Sequence, residues 1–404
     1  MTQPQHRPSA LFVADSDSYL KWGVGRLLEA SDRWDCELVV VASAVTPSAS
    51  QVEAAVAGRI ETPATVSIVD LERRLRADPP EILVLACRGD LIALLLEDRL
   101  RGTCAARVIV AGIPGVWLPP TELGLTLRRS VDLMVVHSHV ERDAVDALLP
   151  RTELRATGLA SLAIPDIVRA EGANAVVFAP QALVPAARED RRRLLAALVD
   201  LARSRPDLSV VVKTRGAVGE AQTHRDDQPY EELLAEAGDV PTNLAVETGP
   251  MTEHLARAVG FVTVSSTAAL EAVAAGVPSL CIADFGVGPA TLTTAFEGSG
   301  LLGSLEDLRA GAFREPDAAW LARSYFHPVD DNDWMNQVDA LAQEPRAGAA
   351  RELPRAGLRT RVRRRWVALG DGDPTPARHL SHLIGLARSA SAGVARLRRT
   401  PENG

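Results

Sequence analysis

Short apolar runs recur along this chain, each followed by a turn and often by a helix-like segment, and this repetition limits the fold more than any single motif. In the first half the runs cover residues 10–14, 37–41, 65–69, 82–86, 107–111 and 133–136. Helix-like segments at 19–30, 71–75, 90–100 and 141–148 separate several of them. A strand with one face in water alternates apolar and polar residues. Runs that are apolar throughout need cover on both faces, as in a parallel sheet flanked by helices. Near 156–166 the stretch TGLASLAIPD breaks the rhythm with Gly, Ser and Pro, and a linker is expected there. The alternation then restarts, with strands at 175–179, 209–213, 243–246, 261–264 and 279–282 and helices at 187–204, 230–236, 252–258 and 268–275. The 404 residues suit two α/β domains, and with only 4% aromatic residues the cores must rest on Val, Leu, Ile and Ala. The expected division is 1–160, 161–345 and a tail, 346–404. Two doubly wound, Rossmann-like units with a cleft between the carboxyl ends of their strands follow from this pattern, and such crevices hold ligands.

The stretch GFVTVSSTAALEAVAAGVPSLCIADFG, starting at Gly260, reads as a strand, a hydroxyl turn, a short helix stopped at Gly276, and a second strand. Ser265, Ser266 and Thr267 offer hydroxyls where a helix begins, a place suited to a phosphate. Ordinary helix capping explains the same residues. Glu271, one turn further, is a carboxylate able to accept hydrogen bonds from ribose or sugar hydroxyls, or simply an acid favoured near a helix start.

Other strand ends carry chemistry. The chain has 44 basic residues, of which only Lys21 and Lys213 are lysine. Lys213 ends the strand SVVVK and is followed by Arg215 and, a short loop later, by His224. Together they suit a phosphate or carboxylate of a donor or acceptor, although Arg215 could be an ordinary surface residue and His224 merely structural. Asp15 and Asp17 follow the first strand; either could act as general base toward a hydroxyl, or Asp17 or Ser18 could simply be the N-cap of the helix that follows. Pro114 and Gly115 form a rigid loop after the strand at 107–111, where backbone could approach a ligand closely. His137, Ser138, Glu141 and Arg142 follow the next strand in a similar way.

Several classes are disfavoured. The chain has no GxGxxG fingerprint in its first half, no Walker A loop, no GxSxG elbow and no HExxH. Cys36, Cys87, Cys104 and Cys281 show no metal spacing and read as reduced thiols; neither a metal nor a cofactor is expected. No apolar run reaches about 18 residues without a charge, and the N-terminus lacks the pattern of a signal peptide, so a cytoplasmic protein is expected. Residues 346–404 carry 13 arginines against four acidic residues, a net of +9 in a chain whose formal charge is −8. Basic helices at 353–369 and 376–399 are expected to meet an anionic membrane, a polyanionic substrate or the acidic body of the chain itself. No nucleic-acid partner is expected.

The stretches VDLMVVHSHVERDAVDALLP, TGL and AVVFAPQALVP resemble the domain junction of GT-B glycosyltransferases. NLAVETGPMTEHLARAVGFVTVSSTAALEAVAAGVPSL is similar to the donor region of bacterial capsule, polysialic acid and polyglycerol-phosphate transferases, and VADSDSYLKWG to the opening of an actinobacterial glycosyltransferase group of undefined substrate. The resemblance covers about residues 8–300. It implies a GT-B fold, two Rossmann-like domains facing a cleft, to which the residue pattern adds a basic helical C-terminal extension outside the resemblance. It further implies a metal-independent glycosyltransferase that takes a nucleotide-sugar donor as substrate and acts on a cell-surface glycan or lipid-linked precursor; the basic tail could bring it to the inner face of the membrane. Ser265, Ser266 and Thr267 would hold the donor phosphate, Glu271 the ribose or sugar, and the acceptor would enter near Asp15, Asp17, Pro114 and Gly115. The His-Pro pair frequent in capsule-type members is replaced here by Lys213-Thr214-Arg215, so their donor does not carry over. The alternatives are a nucleotide-sugar 2-epimerase of the same plan, a CDP-polyol phosphotransferase, or a non-catalytic nucleotide- or glycan-binding protein.

Overall fold

The computed structural model describes residues 7–101, 103–149, 154–181, 183–214, 230–344 and 356–375. They fall into two compact units. The first draws on 1–137, 141–160 and 329–404, the second on 138–140 and 161–328.

The first unit is a parallel sheet of β1 (Ser9–Ala14), β2 (Asp35–Val41), β3 (Ala64–Val66), β4 (Ile82–Ala86), β5 (Val108–Gly112), β6 (Leu133–Val136) and β7 (Ala156–Leu159), in the order β3-β2-β1-β4-β5-β6-β7. Side chains of a strand point alternately to opposite faces. In β1, Leu11 and Val13 therefore enter one core, while Ala10, Phe12 and Ala14 enter the other. Both faces are covered, as the apolar runs demanded. The third strand is shorter than 65–69 because Ser67 accepts a hydrogen bond from the Asp70 amide at 3.1 Å and starts a helix at Ile68.

The stretch around 156–166 is only partly a linker. Its beginning forms β7, paired with β6. Gly158 lies there because of close packing: a Cβ at this position would stand 2.6 Å from the Trp334 Cα. Trp334 opens a helix, Trp334–Gln343, that packs on the first unit, so residues 329–344 belong with that unit and not with 161–328. Trp334 meets Trp34 edge-on, with centroids 5.3 Å apart, and its indole N–H donates to Glu29 at 3.0 Å. Trp334→Phe keeps the ring contact and loses that bond. It should cost about 1 kcal/mol in urea unfolding followed by fluorescence.

The second unit holds β8 (Ala175–Phe178), β9 (Ser209–Lys213), β10 (Leu244–Glu247), β11 (Ala258–Thr263), β12 (Ser279–Ile282) and β13 (Leu302–Gly303), in the order β10-β9-β8-β11-β12-β13. Its strand order reverses between β8 and β11; in the first unit it reverses between β1 and β4.

The helix Leu358–Leu369 belongs to the first unit, and its arginines meet that unit's acids. Arg364 reaches Glu97 at 3.1 Å and Asp98 at 3.2 Å. Of the three destinations open to the basic tail, this part of it takes the body of the chain. The helix expected at 376–399 lies outside the described residues. Among the described residues no helix is long and apolar enough to cross a membrane.

Candidate functional site

In the second unit, β11 ends beside β8. The Thr263 hydroxyl donates to the Ala179 carbonyl at 2.8 Å and accepts from the Ser266 amide at 3.0 Å, tying the turn to the ends of both strands. Neither Thr263 nor this tie was read from the sequence. The turn carries the helix Ala268–Ala274. Capping accounts for only part of its hydroxyls. Ser266 Oγ accepts from the Ala268 amide at 3.3 Å. Thr267 occupies the N-cap position in a right-handed helical conformation, and its exposed side chain makes no capping bond. Ser265 Oγ is buried and has no hydrogen-bond partner.

Lys213 ends β9 and is buried. Burial raises the Glu271 carboxyl above the usual carboxylate range, and the Lys213 ammonium opposes that rise. The two charges therefore act on one another across the end of the central strand. The hydroxyl turn and Glu271 thus follow β11 where the strand order reverses, the place at which open parallel sheets bind ligands, and Lys213 ends β9 on the other side of β8. Arg215 and His224 lie outside the described residues.

The first unit treats its two aspartates differently. Asp15 is fully buried. Its carboxylate accepts from Arg88 Nε at 2.8 Å and from the Arg88 amide at 3.2 Å. Burial raises its carboxyl, with the Arg88 guanidinium pulling the other way. Asp17 is the first residue of the helix Asp17–Ala30; one oxygen takes the Lys21 ammonium at 2.7 Å and the other has no partner. Ser16 occupies the N-cap position without a side-chain capping bond.

The loop holding Pro114 and Gly115 is fastened from beneath. The buried Glu141 carboxylate accepts the Trp117 amide at 2.7 Å and the His137 amide at 2.8 Å. His137 accepts the Trp22 indole N–H at 2.8 Å through Nε2 and donates from Nδ1 to the Ala160 carbonyl at 2.9 Å. Pro114 and Gly115 are half-buried. Sequence reading missed Arg88 and Arg128. Arg128 is buried and donates to the Tyr19 hydroxyl at 2.8 Å. Arg88 directly follows the 82–86 run and its cysteine, a strand end that the pattern offered. Among the described residues no group of three or more His, Cys, Asp or Glu side chains is arranged to hold a metal.

A family model described as "Putative glycosyltransferase (DUF6716)" matches residues 10–341. Solved structures share the two-unit α/β fold at low identity. The UDP-GlcNAc 2-epimerase from Methanocaldococcus jannaschii is 10% identical with a TM-score of 0.53, over 82% of this chain and 99% of that one. The Neisseria meningitidis UDP-GlcNAc 2-epimerase bound to UDP-GlcNAc is 10% identical with a TM-score of 0.50, over 83% and 94%. A UDP-glucosyltransferase from Polygonum tinctorium capable of glucosylating indoxyl is 13% identical with a TM-score of 0.51, over 85% and 100%. No curated protein matches by sequence.

Proposed function

The chain belongs to the family described as "Putative glycosyltransferase (DUF6716)", and from that membership we propose that it is a GT-B glycosyltransferase taking a nucleotide-sugar donor. The observation that carries the reading is the unpartnered Ser265 hydroxyl in the turn at the switch point of the second unit, with Glu271 in the helix that follows and Lys213 at the end of β9. In the proposed arrangement Ser265, Ser266 and Thr267 take the donor phosphate and Lys213 neutralises it, with Arg215 and His224 as further cations. Glu271 takes ribose or sugar hydroxyls. As the glycosidic bond to the phosphate breaks, negative charge grows on the leaving oxygen. A fixed ammonium and turn donors there stabilise the transition state more than the ground state.

The acceptor, a cell-surface glycan or its lipid-linked precursor, is assigned to the first unit, near Asp17 and the Pro114-Gly115 loop. Of the two aspartates Asp17 suits the general base, since its side chain is partly exposed and pairs with the surface Lys21, while Asp15 is fully buried and spent on Arg88. The reaction is assigned to the cytoplasmic side of the membrane. A second reading, a nucleotide-sugar 2-epimerase, is favoured by the epimerase neighbours. Product analysis with a UDP-sugar and no acceptor separates the two, because only an epimerase converts the sugar while it has no acceptor.

The donor site is tested by thermal shift with UDP, CDP, CMP, GDP and ADP. A nucleotide at about 100 times its Kd should stabilise the wild type by about 2.7 kcal/mol. Lys213→Ala and Ser266→Ala should each respond less at the same concentration. The assignment fails when no nucleotide stabilises the wild type, or when both variants respond as it does.

A further inference from the structure

The carboxyl ends of β1 and β4 form the switch point of the first unit, with the end of β2 beside them. Here the chain covers its own crevice. The helix Leu358–Leu369 ends over it, and the carbonyls of Val367 and Ala368 accept from Arg88 Nη1 at 3.2 Å and Nη2 at 3.0 Å. The Ala368 carbonyl also accepts the Ala44 amide, just beyond β2, at 3.0 Å. Gly370 then turns the chain with φ 53°, and a Cβ there would lie 3.0 Å from that of Ala44. Asp373 closes the strap by accepting Arg365 Nη2 at 2.7 Å.

Three features distinguish the strap from the unit beneath it. The family match, over residues 10–341, includes the crevice and stops short of its cover. Much of the contact is ionic, through Arg361 and Arg364 with Glu97 and Asp98, while Ala368 and Leu369 are its fully buried apolar side chains. Finally, the groups on the outer edge of the Arg88 guanidinium are carbonyls at a helix C-terminus, where partial negative charge collects. That edge is the fork which grips a phosphate or carboxylate through two parallel bonds, and such charge-assisted bonds are stronger than bonds to neutral oxygens.

We propose that residues 356–375 are an internal occupant of an oxyanion site, in which the Val367 and Ala368 carbonyls hold the Arg88 fork in place of a phosphate or carboxylate group of an acidic glycan. Asp15 stays on Arg88 Nε and fixes the fork in both states. Identifying that glycan with the acceptor rests on the transferase reading; the competition between strap and anion does not. Because both use the same two N–H groups, binding is reciprocal: an oxyanion on Arg88 releases the strap, and a loosened strap tightens the oxyanion.

Hydrogen exchange of the Ala44 amide reads the strap directly in the full chain. Inorganic phosphate and D-glucuronate, at ionic strength matched with sodium chloride, should accelerate it, and glucose should not. Arg364→Ala, which removes the ion pairs to Glu97 and Asp98, should speed Ala44 exchange and bind phosphate about 5–10-fold more tightly than wild type, a typical coupling between two sites. Arg88→Lys keeps the charge and loses the fork, so the response of Ala44 to phosphate should vanish. The proposal is overturned if neither anion changes Ala44 exchange in the wild type, if Arg364→Ala binds phosphate no better, or if Arg88→Lys responds as wild type. The wild-type measurement stands alone should a variant not fold. Lys213→Ala should leave the Ala44 response intact, so failure of the donor site and failure of the strap are told apart.

Discussion

Replacing Arg88 by alanine is expected to destabilise the first unit by about 3–5 kcal/mol, the usual consequence of leaving a buried charge without its partner. Asp15 is fully buried, and its carboxylate takes both the side chain and the amide of Arg88. The variant keeps the amide and loses the cation. The Asp15 carboxyl, already raised by burial, then rises further, because the guanidinium was the largest influence pulling it down. An acid whose folded pKa lies above its unfolded value stabilises the fold when protonated and loses that contribution as pH rises toward the folded pKa. The deficit of Arg88→Ala should therefore be full above the folded pKa of Asp15 and shrink as pH falls through it. Asp15→Asn removes the charge that needs a partner and should cost less than Arg88→Ala. Adding Asp15→Asn to Arg88→Ala should recover part of the loss. Urea unfolding followed by tryptophan fluorescence suits the measurement, since Trp22, Trp34, Trp117, Trp334 and Trp366 all lie in the first unit. A cost below about 1 kcal/mol, typical of an exposed ion pair, would sink the assignment of Asp15 as a buried structural charge.

That assignment shows where sequence reading stops. Asp15 and Asp17 stand two residues apart at one strand end, and as letters they are equivalent candidates for a base. What separates them is burial and a partner distant in the chain: Asp15 is fully buried on Arg88, 73 residues away, while Asp17 pairs with Lys21 one turn on. Strands whose signal is local were legible. Ile82–Ala86, Leu133–Val136, Ser209–Lys213 and Ser279–Ile282 have the bounds their apolar runs indicated. Strand β7 was hidden because Gly158 reads as a loop residue, whereas the glycine makes room for the Trp334 backbone. Strand β13 is two residues long and has no periodicity to detect.

The same limit applies to the hydroxyl turn. Its position after a strand and before a helix was legible, and so was the alternative that its residues merely cap. The structure separates them individually: Ser266 caps, Thr267 does not, and Ser265 Oγ is left without a partner. The proximity of Lys213 to Glu271 follows from sheet order, with β9 and β11 on either side of β8, and no local pattern encodes that order.

Lys213→Ala is accordingly expected to lower sugar transfer about 10²–10³-fold, or about 2.7–4 kcal/mol of transition-state stabilisation, the range for removing one fixed donor from a developing oxyanion. Lys213 terminates a strand whose neighbouring residues are buried, so its ammonium is held in place before the donor arrives and little reorganisation accompanies the reaction. In the wild type its charge acts against the burial of Glu271. The variant should thus show a second effect: the Glu271 carboxyl rises further and remains protonated to higher pH. A limb of the pH–rate profile that depends on ionised Glu271 should move upward in Lys213→Ala and disappear in Glu271→Gln. Lys213→Arg restores the charge with a different shape and should recover part of the rate. Single-turnover transfer, with the nucleotide-sugar whose nucleotide stabilises the wild type, measures the chemical step apart from product release. A loss below about fivefold, or a loss confined to KM, would mean that Lys213 binds ground state and transition state alike, and the leaving phosphate would then be stabilised elsewhere.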